Sequence, residues 1–245
     1  GYSVQVKKLE LFFSIKLLII LGLFSKAFII KVIINSILEN LFIKVLLPVS
    51  KKLINQIDPI VHKLTIKEIK KETNNAVSIL FDIPTNLKPE FQFVAGQYIN
   101  IKKEIVGEEL RRAYSICSSP KSGDLRIAVK AVDNGTFSVF ATTILTAGAI
   151  LEVSKPEGKF ILETSATHKK NYLAIAAGSG ITPVLSHIQD KLENEPKSRF
   201  VLFYTSRTSA SIILKEELEG LKNRFLNRFE PYFFLSREER DIDFY

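Results

Sequence analysis

After Asn171 the chain runs through apolar or small residues from Tyr172 to Ala177, passes Gly178-Ser179-Gly180-Ile181-Thr182-Pro183, and continues with Val184, Leu185, Ile188 and Leu192 at helical spacing. A buried strand that turns through glycines directly into an amphipathic helix admits few folds. Residues 200 to 204 then form a second apolar run, 212 to 223 a second helical pattern and 232 to 235 a third apolar run. Strand, helix, strand, helix, strand with short connections predicts one half of a doubly wound parallel α/β sheet.

Upstream of Thr167 the hydrophobic period is different. Leu64 and Ile66, then Val77, Ile79, Phe81 and Ile83, then Leu125, Ile127, Val129 and Ala131 alternate with smaller or more polar residues. Turn signals at Asn74-Asn75, Pro84, Gly107, Ser122-Gly123-Asp124, Asp133-Asn134-Gly135 and Pro156-Glu157-Gly158 separate these runs. About six short strands in roughly a hundred residues predict a small antiparallel barrel. The expected class is therefore β + α/β, a barrel at 58–165 followed by a parallel α/β domain at 166–245 that stops short of its second half.

Residues 9 to 47 are strongly apolar, but Lys16, Lys26, Lys31, Glu39 and Lys44 interrupt them, and the longest charge-free run, 17 to 25, is too short to span a bilayer. An interfacial helix, a short anchor with snorkelling lysines, or sequence outside the native protein remain open for residues 1–57. The expectation is the last, because helix caps and turn signals are missing there. A chain of 245 residues that starts at Gly1 and contains no methionine also reads as a piece of something longer. The net charge of +8 sits largely at this end: residues 1 to 60 hold eight lysines against three acidic residues, which leaves 26 basic against 23 acidic for the rest. The nearly balanced remainder lacks the interleaved aromatic and basic residues of a single-strand-binding barrel, so no nucleic-acid partner is expected.

Two motifs carry chemistry. At 178 to 183 a strand meets a helix, where glycines let backbone N–H groups and the positive helix end receive a phosphate, and Pro183 suits a first helical position. At Arg112-Ala113-Tyr114-Ser115, alternate side chains of an extended stretch share a face, offering a guanidinium for phosphate and a ring for stacking. Alone, the first could be a plain glycine turn and the second a strand with a surface arginine. The single cysteine, Cys117, excludes a disulfide framework and a four-thiolate cluster within this chain. His62, His168 and His187 are scattered, and no metal site is expected.

Gly96-Gln97-Tyr98, Arg112-Ala113-Tyr114-Ser115, Gly135-Thr136-Phe137-Ser138 and the 178–183 turn, taken in order, resemble the ferredoxin-NADP reductase superfamily from about residue 60 onward. The wording of residues 111 to 120 is most similar to oxygenase reductases such as the reductase component of phenylacetyl-CoA oxygenase. The resemblance implies FAD and NADP (or NAD) as cofactors, and an activity that passes electrons from NAD(P)H through FAD to an iron-sulfur domain, ferredoxin or oxygenase partner in the cytoplasm. Arg112 would pair with the FAD pyrophosphate, Tyr114 would stack on the flavin ring and Ser115 would hydrogen-bond near flavin N5. Val129 and Lys130 would line the flavin tail, and Gly135, Thr136, Phe137 and Ser138 would present a helix N-terminus to its phosphates. Gly178, Gly180, Ile181, Thr182 and Pro183 would hold the nicotinamide dinucleotide, with Thr182 beside the reacting rings. Ser206, Arg207, Ser236 and Arg237 would face the adenosine ribose and favour NADPH. The family's Cys-Gly segment, its C-terminal aromatic and the four cysteines of a ferredoxin-like domain are missing from the sequence, so a 2Fe-2S centre is expected only on a further domain. A flavin-binding subunit without its own NAD(P)H activity, or a reductase attached to a membrane through residues 9–47, are the alternatives.

Overall fold

In the computed structural model, residues 60–238 are described; the readings of residues 1–57 lie outside them. Nine strands and three α-helices order the described part. Six antiparallel strands come first: β1 (Val61–Thr73), β2 (Ala76–Asp82), β3 (Tyr98–Ile105), β4 (Glu108–Ser115), β5 (Leu125–Lys130) and β6 (Ile150–Ser154). Helix α1 (Thr136–Thr143) lies between β5 and β6. The sheet order is β4-β3-β6-β1-β2-β5. Its two edges meet just beyond β4, where Ile116 bridges Ile127 and the Cys117 N–H donates to the Arg126 carbonyl at 2.8 Å. The curled sheet therefore closes into the expected barrel, which removes its open edges.

Period-two alternation fills the interior. Leu64, Ile66, Ile79, Ile99, Ile101, Ile127, Val129 and Val153 are buried together, and α1 contributes Phe137 and Ala141. Strand β2 departs from plain alternation: every residue from Ala76 to Phe81 is buried. Val77, Ile79 and Phe81 face the barrel core, whereas Ala76 joins Cys117 and Ala128 in the core of the second region. Small residues on the outer wall thus let a second layer pack directly on the barrel.

That second layer is the parallel sheet β7 (Asn171–Ala177), β8 (Arg199–Ser206) and β9 (Phe229–Leu235), in the order β7-β8-β9, with α2 (Ile181–Asn194) and α3 (Lys215–Arg224) as its crossovers. Successive right-handed crossovers that step in one direction put both helices on the same face. Ile181, Leu185, Ile188 and Leu192 of α2 and Leu218 and Leu221 of α3 accordingly share one core with Ala176, Leu202, Tyr204 and Phe229. On the opposite face Leu173, Ile175, Tyr232 and Phe234 stand exposed, and β7 pairs with β8 alone among the described residues.

Three boundaries differ from the sequence reading. The second helix begins at Lys215 rather than at 212, because Leu214 adopts a left-handed φ of 59° and Ile212 to Leu214 are consumed as a buried connection. The third strand starts at Phe229, ahead of the expected 232. Pro183 is the third residue of α2, not the first, since the helix opens at Ile181. A proline is tolerated there for the same reason as at the first position: the N–H groups of the first turn have no intrahelical acceptor.

Candidate functional site

A cavity of about 420 Å³ lies where the barrel meets the start of α2. Its barrel wall is Arg112, Ala113, Tyr114 and Ser115 at the end of β4, with Ala128, Lys130 and Val132 from β5 and the turn after it. Gly135, Phe137 and Ser138 close one end, and Ser179, Gly180, Thr182 and Pro183 of the second region close the other. The two motifs separated by more than sixty residues in sequence are brought to one cavity.

Arg112–Ser115 is the end of strand β4 itself. The Arg112 side chain is exposed, and one guanidinium N–H goes to the Arg111 carbonyl at 2.8 Å. The Tyr114 ring is half-buried, packed at 5.6 Å against Phe137, and burial pushes its phenol up to about 12, so it is a neutral ring surface near pH 7. On β5 alternation decides which side chains reach the cavity. Ala128 and Lys130 face it, whereas the Val129 side chain points into the barrel core with 0% exposure and leaves only its backbone towards a ligand. A strand cannot present adjacent side chains to one face.

Gly135 precedes α1 and makes no side-chain cap, and the same holds for Gly180 before α2. At α1 the N–H groups of Thr136 and Phe137 take no side-chain partner, which is the donor set of a phosphate-binding site, whereas at α2 the Ile181 N–H already donates to the Gly178 and Ser179 carbonyls and Pro183 has none to offer. Ser138 works inside its own turn, its hydroxyl donating to the Gly135 carbonyl at 3.2 Å and accepting from the Val132 N–H at 3.2 Å. Thr136 is exposed and does not line the cavity.

At the second motif Gly178 holds a φ of +50°, a conformation that costs a side-chain-bearing residue energy and glycine none. The Thr182 hydroxyl donates to the Ser179 carbonyl at 3.0 Å, and the Tyr204 hydroxyl donates to the Gly178 carbonyl at 2.8 Å. Ile181 is fully buried and offers only its backbone. Tyr204, itself fully buried, also accepts from the Ile213 N–H at 3.3 Å and so ties the glycine turn to the connection before α3. Sequence reading missed it, because an apolar strand run hides a tyrosine that faces inward. Ala128 and Val132 were missed too; stepping by two from Lys130 would have found both.

Ser206, Arg207, Ser236 and Arg237 do not line this cavity. They come together at the ends of β8 and β9, where the Ser236 N–H donates to the Ser206 carbonyl at 3.0 Å and the Arg237 N–H to the Arg207 carbonyl at 2.9 Å. Both arginines are exposed at these strand ends. The Ser206 hydroxyl lies 2.8 Å from that of Ser211. Cys117 is buried with its thiol beside the Arg126 carbonyl at 3.4 Å, and burial pushes it well above the usual thiol range, so it is a packed neutral group. Among the described residues no three His, Cys, Asp or Glu side chains gather to hold a metal ion, and no helix is long and apolar enough to cross a membrane.

A cavity that joins a basic, aromatic barrel wall, the open N-terminus of α1 and the Gly178–Gly180 turn has the features of a dinucleotide-binding protein. The chain belongs to the ferredoxin reductase-like family of oxidoreductases: residues 63–161 match the oxidoreductase FAD-binding domain and residues 174–244 the oxidoreductase NAD-binding domain, together more than half of its length. It is 42% identical over 182 residues to one component of the 1,2-phenylacetyl-CoA epoxidase of Escherichia coli K12, covering 74% of this chain and 51% of that one. The ferredoxin reductase component of the 3-ketosteroid-9-alpha-monooxygenase of Rhodococcus rhodochrous is 32% identical over 168 residues, covering 67% and 46%. Phthalate dioxygenase reductase, solved as a modular structure for electron transfer from pyridine nucleotides to [2Fe-2S], superposes with a TM-score of 0.58 at 25% identity, covering 75% of this chain and 54% of that one. The chain thus spans about half the length of the curated relatives it matches.

Proposed function

We propose that this chain carries the flavin and nicotinamide sites of a cytoplasmic reductase that passes electrons from NAD(P)H through FAD to a redox partner, either a ferredoxin-like iron-sulfur domain or an oxygenase. The observation that carries the reading is the single cavity walled by Arg112–Ser115 on one side and by Ser179–Pro183 on the other. Reductase components of oxygenase systems among the similar proteins support the class of partner. The functional boundary falls between 58–165, which holds FAD, and 166–245, which holds the nicotinamide dinucleotide.

When bound, the flavin supplies the redox chemistry, with a hydride arriving from NAD(P)H and electrons leaving singly. Arg112 and the N–H groups of Thr136 and Phe137 that open α1 would neutralise the flavin pyrophosphate, with Lys130 beside them. Tyr114 stacks against the ring, and its high phenol pKa keeps a charge away from it. The Ser115 hydroxyl would hydrogen-bond the flavin near its hydride-accepting atom, and Thr182, its own hydroxyl engaged with Ser179, would pack beside the nicotinamide. Gly178, Gly180, Ile181 and Pro183 shape the turn that receives the nicotinamide pyrophosphate. The adjacent pairs Ser206-Arg207 and Ser236-Arg237 recognise a 2'-phosphate, which favours NADPH.

The visible spectrum of the FAD-loaded chain before and after anaerobic NADPH tests this reading. Flavin bands that bleach are expected. Bands that persist overturn the hydride-accepting role, and failure to take up FAD at all overturns the flavin assignment.

A further inference from the structure

Residues 160 to 168 lead the chain from the barrel towards β7, and α2 grips them along its length. The His187 Nε2–H donates to the Phe160 carbonyl at 2.9 Å. Lys191 Nζ donates to the Leu162 carbonyl at 3.0 Å, to the Glu163 carbonyl at 2.7 Å and to the Thr164 hydroxyl. The Thr164 hydroxyl in turn donates to Asp190 at 2.5 Å. Glu195 accepts from the Ser165 N–H at 3.4 Å and from His168 Nδ1 at 2.9 Å. His187 and Lys191 of α2 and Glu195, its C-cap, recur every fourth residue and line one side of the element.

The same helix touches the barrel directly. The buried Ser186 hydroxyl donates to the Ser118 carbonyl at 2.8 Å, and the Ser119 hydroxyl donates to Glu193 at 2.5 Å. Ser118 and Ser119 follow closely on the Arg112–Ser115 strand, and the first turn of α2 carries Thr182 and Pro183. Where the three parts meet, the approach is so close that a Cβ at Gly96 would collide with the Phe160 carbonyl and the His187 ring. One helix therefore holds both walls of the cavity and the link between them.

Lys191 is 1% exposed, an unusual place for an ammonium group. A buried ammonium opposes folding unless its N–H groups find acceptors, and a methionine of similar length would pack there without that cost. Its Nζ hydrogen bonds run to the linker, with Asp190 and Glu195 each at 3.6 Å supplying the balancing charge. We propose that Lys191 is a positioning residue: it locks residues 162 to 164 onto α2 and thereby sets the separation between the Arg112–Ser115 wall and the Ser179–Pro183 turn. The consequence for hydride transfer rests on the function proposed above; the placement of the two walls does not.

Two measurements on the full chain test this role. In the first, spin labels are attached through Val106→Cys on the barrel and Leu226→Cys beyond α3, both exposed positions, while native Cys117 is buried. Lys191→Met is expected to broaden the narrow label-to-label distance distribution of the parent. In the second, Lys191→Met is expected to keep full FAD content and the parent KM for NADPH while flavin reduction at saturating NADPH slows by about ten- to a hundredfold, the scale of an ångström-level misplacement. If Lys191→Met does not fold, Thr164→Val, which removes the hydroxyl shared by Lys191 and Asp190, is expected to broaden the distribution partially. A parent-like distribution in the variant measured overturns the positioning role. A broadened distribution in a chain whose parent is never reduced by NADPH leaves that role standing and counts against the functional reading instead.

Discussion

The barrel and the parallel sheet bury apolar surface in opposite ways. The barrel sheet curls until Ile116 meets Ile127, so each inward residue finds partners within its own sheet and α1. The parallel sheet covers one face with α2 and α3 and leaves Leu173, Ile175, Tyr232 and Phe234 open, with 62%, 74%, 49% and 39% exposure. A sheet closed on itself completes its core locally, whereas a parallel sheet needs helices on both faces. The barrel residues thus cluster among themselves, while the core of the parallel sheet also takes in Ala76, Cys117 and Ala128 from the barrel wall.

The largest test of that contrast pairs two isoleucines. Ile127→Ala, in the closed core, is expected to destabilise the chain by about 2–5 kcal/mol, whereas Ile175→Ala on the open face stays within about 0.5 kcal/mol. Urea unfolding of the two variants reads the difference, and equal losses would break the comparison. Next, Arg112→Ala is expected to leave the barrel folded and to weaken FAD binding by about 1.5–3 kcal/mol, the worth of hydrogen bonds to a charged group. Titration of FAD into the apoprotein measures it, and wild-type affinity would remove Arg112 from the flavin site.

A smaller effect separates the regions by pH. Burial alone would raise Glu195, but hydrogen bonds from Ser198, His168, Tyr172 and the Ser165 N–H outweigh it and hold the carboxyl at about 2. A carboxyl depressed in the folded state stabilises it above the unfolded pKa, and that stability is lost as pH falls from about 4.5 towards 2. Glu195→Gln is therefore expected to lower stability near pH 7 by on the order of 1–3 kcal/mol and to flatten the acid limb in that window. An unchanged acid limb would show that the network around α2 does not couple to folding. The smallest effect is on cofactor choice: Arg237→Ala is expected to reduce the preference for NADPH over NADH by about tenfold, roughly 1.4 kcal/mol, with FAD content unchanged.

Much of this arrangement was legible in the residues. Alternation at 77 to 83 and 125 to 131 marked barrel strands, and the glycine turn after an apolar run marked β7 and α2, because each signal is local. Where the reading slipped, the deciding force came from elsewhere in the chain. Ile212 to Leu214 looked helical, yet they serve as a buried connection that Tyr204 holds from a neighbouring strand. Val129 lay next to Lys130 in a motif, yet the pleat turned it into the core. Ser206, Arg207, Ser236 and Arg237 were expected at the adenosine ribose, and it is the register of β8 with β9 that makes them neighbours in the fold.

By itself, then, the sequence determined which segments are strands and helices and which carried glycines, cations and rings, since backbone conformation and amphipathic period act over a few residues. The tertiary structure alone decided that Arg112–Ser115 and Ser179–Pro183 wall one cavity, and that a lysine on α2 grips the link between them. Those contacts join residues far apart in the chain, and their geometry depends on how two cores pack across Ala76, Cys117 and Ala128, a property no local pattern encodes.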